Sequence, residues 1–269
     1  MALLEVTNLR RSFGGLVAVQ QVSFAVKAGQ IKAIIGPNGA GKTTLFNLIC
    51  GLLKPERGQI TFRGESLSGL EPYRVARAGL SRTFQNPSLF PCMSVLENVM
   101  VGRHRRSRRE FFACAVRWPG QAREERAIRQ AALEQLDYVG LTDLAACPAG
   151  ALAFGQRRMV ELGRALAAEP ELLLLDEPAS GLNTREKEDL GELIRKIRQR
   201  GITILLVEHD MSLVMGLSDE ILVLHNGTPI AEGPPAMVRN DPKVIGVYLG
   251  GESQHVASGK ESQMRLRQS

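Results

Sequence analysis

Residues 36–43 read Gly36-Pro37-Asn38-Gly39-Ala40-Gly41-Lys42-Thr43, a G-x-x-x-x-G-K-T run between the apolar segment Ile31–Ile35 and the helically spaced segment Thr43–Leu52. This placement leaves few alternatives to a strand, a tight loop and a helix in succession. Glycines at 36, 39 and 41 let the backbone curl until successive N–H groups face one point, and the positive end of the following helix dipole adds to the same pull. The loop is therefore read as a cradle for phosphate. Lys42 can reach the outer phosphate oxygens, the Thr43 hydroxyl can complete the shell of a magnesium ion, and Thr44 beside it can donate to phosphate. These residues point to ATP and Mg2+ as ligands.

A second apolar segment, Leu172–Leu175, ends in Asp176-Glu177-Pro178. An aspartate leaving a buried strand beside a phosphate loop can hold magnesium through its waters, while the next glutamate projects toward the terminal phosphate and can polarise an attacking water. Asp176 is thus the expected metal holder and Glu177 the expected base. Around these points the chain alternates: a helix to Ala168, strand Leu172–Leu175, helix Arg185–Arg200, strand Thr203–Val207, then another helix and strand, the pattern of a parallel sheet covered by helices. The first thirty residues read instead as two strands, Leu4–Leu9 and Gln21–Val26, about a turn at Gly14-Gly15, an antiparallel β edge. Ser94–Gly140 is charged and alanine-rich with helical spacing, so a helical subdomain is expected there. The predicted fold class is α/β. One domain spans residues 1–250, with core and edge at 1–93 and 141–250, and a polar, aperiodic and disordered tail is expected at 251–269.

Composition excludes several alternatives. Of 269 residues, 44% are apolar, which is enough for an ordinary buried core. No apolar run is long enough to cross a bilayer and no signal-peptide pattern opens the chain, so a cytoplasmic location is expected. The four cysteines, at 50, 92, 114 and 147, show no metal-type spacing and are expected to be reduced thiols. The net charge of +6 is concentrated in the run Arg103–Arg109, which is either a solvated face or a surface for anionic lipid. Nucleic acid is not expected, because no aromatic side chains are interleaved with the basic ones.

Between the phosphate loop and the acidic pair lies Leu152-Ala153-Phe154-Gly155-Gln156, which resembles the signature of ABC ATPases, usually written LSGGQ. The resemblance covers residues 1 to about 250. It includes Gln85 in Arg-Thr-Phe-Gln (the Q-loop), Ser180-Gly181-Leu182-Asn183 (the D-loop), His209 in Val-Glu-His-Asp (the switch histidine) and Phe13 at the adenine-stacking position, with Val19 packing nearby. It implies a P-loop NTPase fold of the ABC ATPase type, with Lys42, Gln85, Glu177 and His209 serving catalysis and Thr43, Gln85 and Asp176 serving Mg2+. It also implies a head-to-tail pair of ATPase subunits, each presenting Ala153–Gln156 to its partner's ATP. Two departures stand out: Ala153 lacks the usual serine hydroxyl, and Phe154 adds bulk where a glycine is usual. Phe13 has an alternative reading as a core residue at a strand end.

Within that family, Arg82–Phe90, Ser94–His104, the aromatic signature, Glu208–Ser218 and Val247–Gly250 are similar to the ATPase subunits of branched-chain amino-acid importers. That similarity implies membrane-spanning permease subunits and a solute-binding protein as partners, and a position on the cytoplasmic face of the membrane. The expected solute is thus a branched-chain or other hydrophobic amino acid; related sequences serve urea or amide import and lipopolysaccharide export, which are the alternatives, and a soluble ABC ATPase acting on nucleic acid or ribosomes is a further one. Phe90, Met93, Val95 and Leu96 either line a groove for a permease helix or belong to the core.

Overall fold

The structure is a computed structural model that describes residues 2–85, 88–103 and 121–248. Two sheets share one α/β body. The first is antiparallel, in the order β2-β1-β4-β5, from β1 (Ala2–Phe13), β2 (Leu16–Lys27), β4 (Arg57–Phe62) and β5 (Glu65–Ser66). The expected edge is thus present, with longer strands than the alternation indicated, because β1 and β2 pair through to Phe13 and Leu16 at the Gly14-Gly15 turn. Both turn glycines have positive φ, as a two-residue hairpin loop requires.

The second sheet has the order β10-β9-β3-β8-β7-β6 and contains β3 (Ile31–Ile35), β6 (Leu80–Arg82), β7 (Leu172–Asp176), β8 (Thr203–Val207), β9 (Glu220–His225) and β10 (Thr228–Gly233). Its central strands run parallel, and β10 returns antiparallel to β9 through Asn226-Gly227. Every residue of β3, β7 and β8 is buried, which explains why they are largely apolar without alternation: a strand covered on both faces has no polar side, and Lys32, buried within β3, is paired with Glu220 and Glu232.

Side chains of one strand serve two cores. Leu172, Leu174, Leu205 and Val207 meet the antiparallel sheet and α1 (Lys42–Ile49), whereas Leu173, Leu175, Ile204 and Leu206 meet helices on the other face. Those helices are α3 (Val95–Arg103), α4 (Gln121–Tyr138), α5 (Phe154–Ala167) and α6 (Thr184–Gln199), with α2 (Pro72–Ala78), α7 (Met211–Leu217) and α8 (Pro235–Arg239) completing the body. Helix α1 begins one residue before the expected Thr43 and ends at Ile49, because Gly51 takes a left-handed φ of 73°. Helix α6 begins at Thr184 under Asn183, whose side chain accepts the Glu186 N–H at 3.0 Å.

Val95 and Leu96 are buried in the core beneath α3, so the groove reading does not hold for them; Phe90 is exposed. Of the basic run, only Arg103 is described: it pairs with Glu169 and reaches the Ala167 carbonyl. The remainder of that run, Cys114 and the 251–269 tail lie outside the described residues. Cys50, Cys92 and Cys147 are free thiols. No described helix is long and apolar enough to cross a membrane.

Candidate active site

Parallel strands emerge side by side, so whatever follows their carboxyl ends gathers along one edge of the sheet. Gly36 follows β3, Asp176 closes β7 with Glu177 after it, Gln85 lies three residues beyond β6, and His209 lies two beyond β8. Sheet order sets β3, β8, β7 and β6 side by side, so segments more than a hundred residues apart in sequence share that edge.

The loop over residues 36–41 is held from behind by backbone. A Cβ on Gly36 would stand 2.1 Å from the Leu224 carbonyl oxygen, and one on Gly41 would stand 2.2 Å from that of Ala18. Gly41 is the N-cap of α1 at φ 97°, without a side chain to cap, and the first intrahelical bond runs from the Leu45 N–H to the Gly41 carbonyl at 2.9 Å. The N–H groups of Lys42, Thr43 and Thr44 therefore have no partner within the helix, which is the donor set an anion requires. Pro37 supplies a carbonyl to the Ala40 N–H at 3.1 Å, and Asn38 and Gly39 form the outer curve, where Gly39 is open to solvent. The Lys42 ammonium lies within the loop, donating to the Gly36 and Pro37 carbonyls at 2.7 and 3.0 Å. Burial pushes its pKa down, and the Glu177 and Asp176 carboxylates oppose that shift.

Glu177 has a left-handed φ of 47°, uncommon for a side chain with a Cβ, and its N–H is held by the Val207 carbonyl at 2.9 Å. This turn separates the two acids. One Glu177 oxygen accepts from Gln85 Nε2 at 2.7 Å and the other meets His209 Nε2 at 2.7 Å. Two residues singled out from the sequence thus converge on the carboxylate of a third. Asp176 instead points inward, with Arg82 donating to its Oδ2 at 2.7 Å. Thr43, Asp176 and Gln85 each offer side-chain oxygen, a sparse set that suits Mg2+, an ion that keeps several waters and phosphate oxygens in its shell. No described cluster of His, Cys, Asp and Glu forms an all-protein cage.

Phe13 stands 43% exposed at the end of β1, with the Arg11 guanidinium 5.0 Å from its ring centre, so it is a surface aromatic and not a core one. Val19 is fully buried in β2, opposite Arg11 and next to Ala18, the residue that backs Gly41.

In the signature, Ala153 is the N-cap of α5, and the Gln156 side chain accepts its N–H at 3.0 Å, the one half of a capping box that alanine permits. The Phe154 ring turns toward the chain's own D-loop: a Cβ on Gly181 would come within 2.8 Å of it, and Arg158 covers its other side at 5.3 Å. The bulk at Phe154 is therefore packed partly against its own chain, with the residue still 38% exposed. Gly155 is packed closely too, with Glu186 Oε1 2.7 Å from where its Cβ would lie. In the D-loop, Ser180 is exposed, Leu182 is buried and Asn183 caps α6. Phe154→Ala is expected to leave nucleotide affinity of the isolated chain unchanged while turnover falls about tenfold, the equivalent of one lost packing contact of roughly 1.4 kcal/mol. Fluorescent-nucleotide titration beside phosphate release measures both, and equal losses in the two would show that Phe154 serves its own nucleotide loop instead.

Several residues escaped motif reading because they act through buried polar contacts. Glu208 is buried, and its oxygens accept the Ala179 N–H at 2.7 Å and the His209 N–H at 3.0 Å, which ties the D-loop to the histidine turn. Burial pushes its pKa up, against those amides. Glu161 accepts the Phe84 N–H at 2.9 Å and Arg158 donates to the Phe84 carbonyl at 2.8 Å, so α5 clamps the approach to Gln85. Tyr248 lies near the Gly36 amide, with its phenol pushed up to about 12 by burial. Glu208 lies one residue before His209 and Glu161 five residues beyond Gln156, and only that proximity hinted at them.

Comparison with known proteins agrees with this geometry. The ABC transporter family profile matches residues 19–180, and that of the branched-chain amino acid ATP-binding cassette transporter matches residues 228–253. The chain is 45% identical over 249 residues to the high-affinity branched-chain amino acid transport ATP-binding protein BraF of Pseudomonas aeruginosa, covering 92% of this chain and 98% of that protein. It is 44% identical to the LivG protein of Escherichia coli, with the same coverage. Among solved structures, a nucleotide-free ATP-binding cassette from an ABC transporter superposes with a TM-score of 0.81 at 33% identity, covering 92% of this chain and 99% of that one. By sequence over nearly its whole described length, and by fold, this chain belongs to the ABC transporter family as an ATP-binding subunit, similar to the branched-chain amino acid transport ATP-binding proteins.

Proposed function

We propose that this chain binds and hydrolyses ATP to drive uptake of branched-chain or other hydrophobic amino acids through a membrane-spanning permease. The observation that carries the hydrolytic part is Glu177, held by Gln85 and His209 beside the phosphate loop. Glu177 orients and deprotonates water, Gln85 and His209 hold that carboxylate in place, and Lys42 with the loop amides binds the phosphates. Phe13 stacks on the base. Thr43, Asp176 and Gln85 would hold Mg2+, which would supply positive charge to offset that of the phosphates. Ala153–Gln156 and Ser180–Asn183 act on the ATP of a second subunit, whether a copy of this chain or a relative. Dimeric forms of another ATP-binding cassette, 26% identical to this chain, are known.

The chain sits on the cytoplasmic face of the membrane through its permease, and a solute-binding protein completes the complex. A groove of about 500 Å³ between the core and the helical layer, lined by Leu52, Pro72, Phe84 and Phe90, is the docking place for a permease helix. The solute assignment rests on the relatives of high identity. Reconstitution with the permease and binding-protein subunits in proteoliposomes tests it: leucine, isoleucine or valine is expected to raise ATP turnover severalfold. Stimulation by urea or an amide instead would overturn the solute, and no solute-dependent turnover at all would overturn the transport role.

A further inference from the structure

Arg82 ends β6, three residues before Gln85, and carries no motif role. Its guanidinium is held from two sides near the site. One nitrogen donates to Asp176 Oδ2 at 2.7 Å and another to Asn47 Oδ1 at 2.6 Å, on helix α1. Phe46 and Phe84 lie near it, with ring centres at 5.5 and 5.2 Å. The two side chains of the Arg82–Asp176 pair are only 7% and 5% exposed. β6 is fixed in turn, since Arg82 pairs with Leu174 of β7 and the Thr83 N–H bonds to the Leu174 carbonyl at 3.0 Å. Phe84, 41% exposed, covers the guanidinium where both residues line the groove between core and helical layer.

A carboxylate has two oxygens and one negative charge. Here one oxygen already accepts from a fixed cation, in surroundings that screen charge poorly. A divalent cation at Asp176 must then share that carboxylate with a guanidinium a few ångströms away, and like charges so close weaken one another's hold. We propose that Arg82 is a positioning residue that moderates how tightly Asp176 holds a divalent cation, its charge divided between Asp176 and Asn47. This rests on the reading of Asp176 as a metal holder. The same guanidinium forms part of the groove wall.

The test is titration of the full-length chain with Mn2+ at saturating ADP, followed by electron paramagnetic resonance, with ADP affinity in chelator measured separately. Arg82→Gln removes the competing charge and is expected to bind Mn2+ about tenfold more tightly. Asn47→Ala leaves every charge in place but frees the second guanidinium nitrogen to join the first on Asp176, so Mn2+ binding is expected to weaken about threefold. A merely structural role would move both variants the same way. Unchanged or weaker Mn2+ binding in Arg82→Gln, or unchanged or tighter binding in Asn47→Ala, overturns the proposal. Asn47→Ala decides alone should Arg82→Gln not fold, as shown by circular dichroism. Asp176→Asn serves as the separate control: wild-type Mn2+ affinity in that variant would overturn the metal assignment itself.

Discussion

Glu177→Gln is expected to cut phosphate release by about 10²–10⁴-fold while ATP affinity stays within a factor of about two, the loss typical of removing a general base. Glutamine keeps the size and the hydrogen-bonding reach of the side chain but cannot take a proton. The two bonds that position Glu177, at 2.7 Å from Gln85 and from His209, make this swap clean: the Gln85 amide can still donate to the new carbonyl, and His209 can accept from the new amide nitrogen. The left-handed backbone at residue 177 is also retained, because the strain belongs to any residue with a Cβ. Phosphate release and equilibrium nucleotide binding on the same preparation separate chemistry from binding. Turnover equal to the wild type would remove Glu177 from the role of base.

The second large effect is expected from Gly41→Ala, which should weaken nucleotide binding by about 100-fold or more and lower the melting temperature. Two costs add there: a left-handed backbone that L-residues disfavour by roughly 1–2 kcal/mol, and a Cβ 2.2 Å from the Ala18 carbonyl. The second cost cannot be relaxed cheaply, because β2 is paired along β1 and the atom in the way is backbone. Gly39→Ala supplies the comparison. It has the same kind of backbone, φ 80°, but nothing within 4 Å of the added carbon, so only the first cost applies and a loss of roughly tenfold is expected. Nucleotide titration with thermal melting reads both variants. Equal effects would mean that the packing of Ala18 on the loop does not matter.

These two expectations draw on different sources. That a strand, a tight glycine loop and a helix follow one another around residues 36–43, that residues 172–175 form a buried strand ahead of two acids, and that an antiparallel edge precedes them was legible in residue order alone. Glycine placement and period-specific apolar runs express local backbone preferences and burial on one or both faces, and both are properties of a short segment. The Q-loop, switch histidine and signature were legible only through the resemblance, since a lone glutamine or histidine has no local signal.

Tertiary structure decided the rest, for one physical reason: contacts between distant segments depend on which strands lie side by side. The order β3-β8-β7-β6 brings Gln85 and His209 onto Glu177. The same packing set the Phe154 ring against Gly181 while leaving it partly exposed, buried Val95 and Leu96, and set Arg82 between Asp176 and Asn47. Residue order by itself determined which chemistry the chain carries and the class of fold that holds it. Only the packed sheet decided which charges meet, because electrostatic pairing acts over a few ångströms of space and takes no account of distance along the chain.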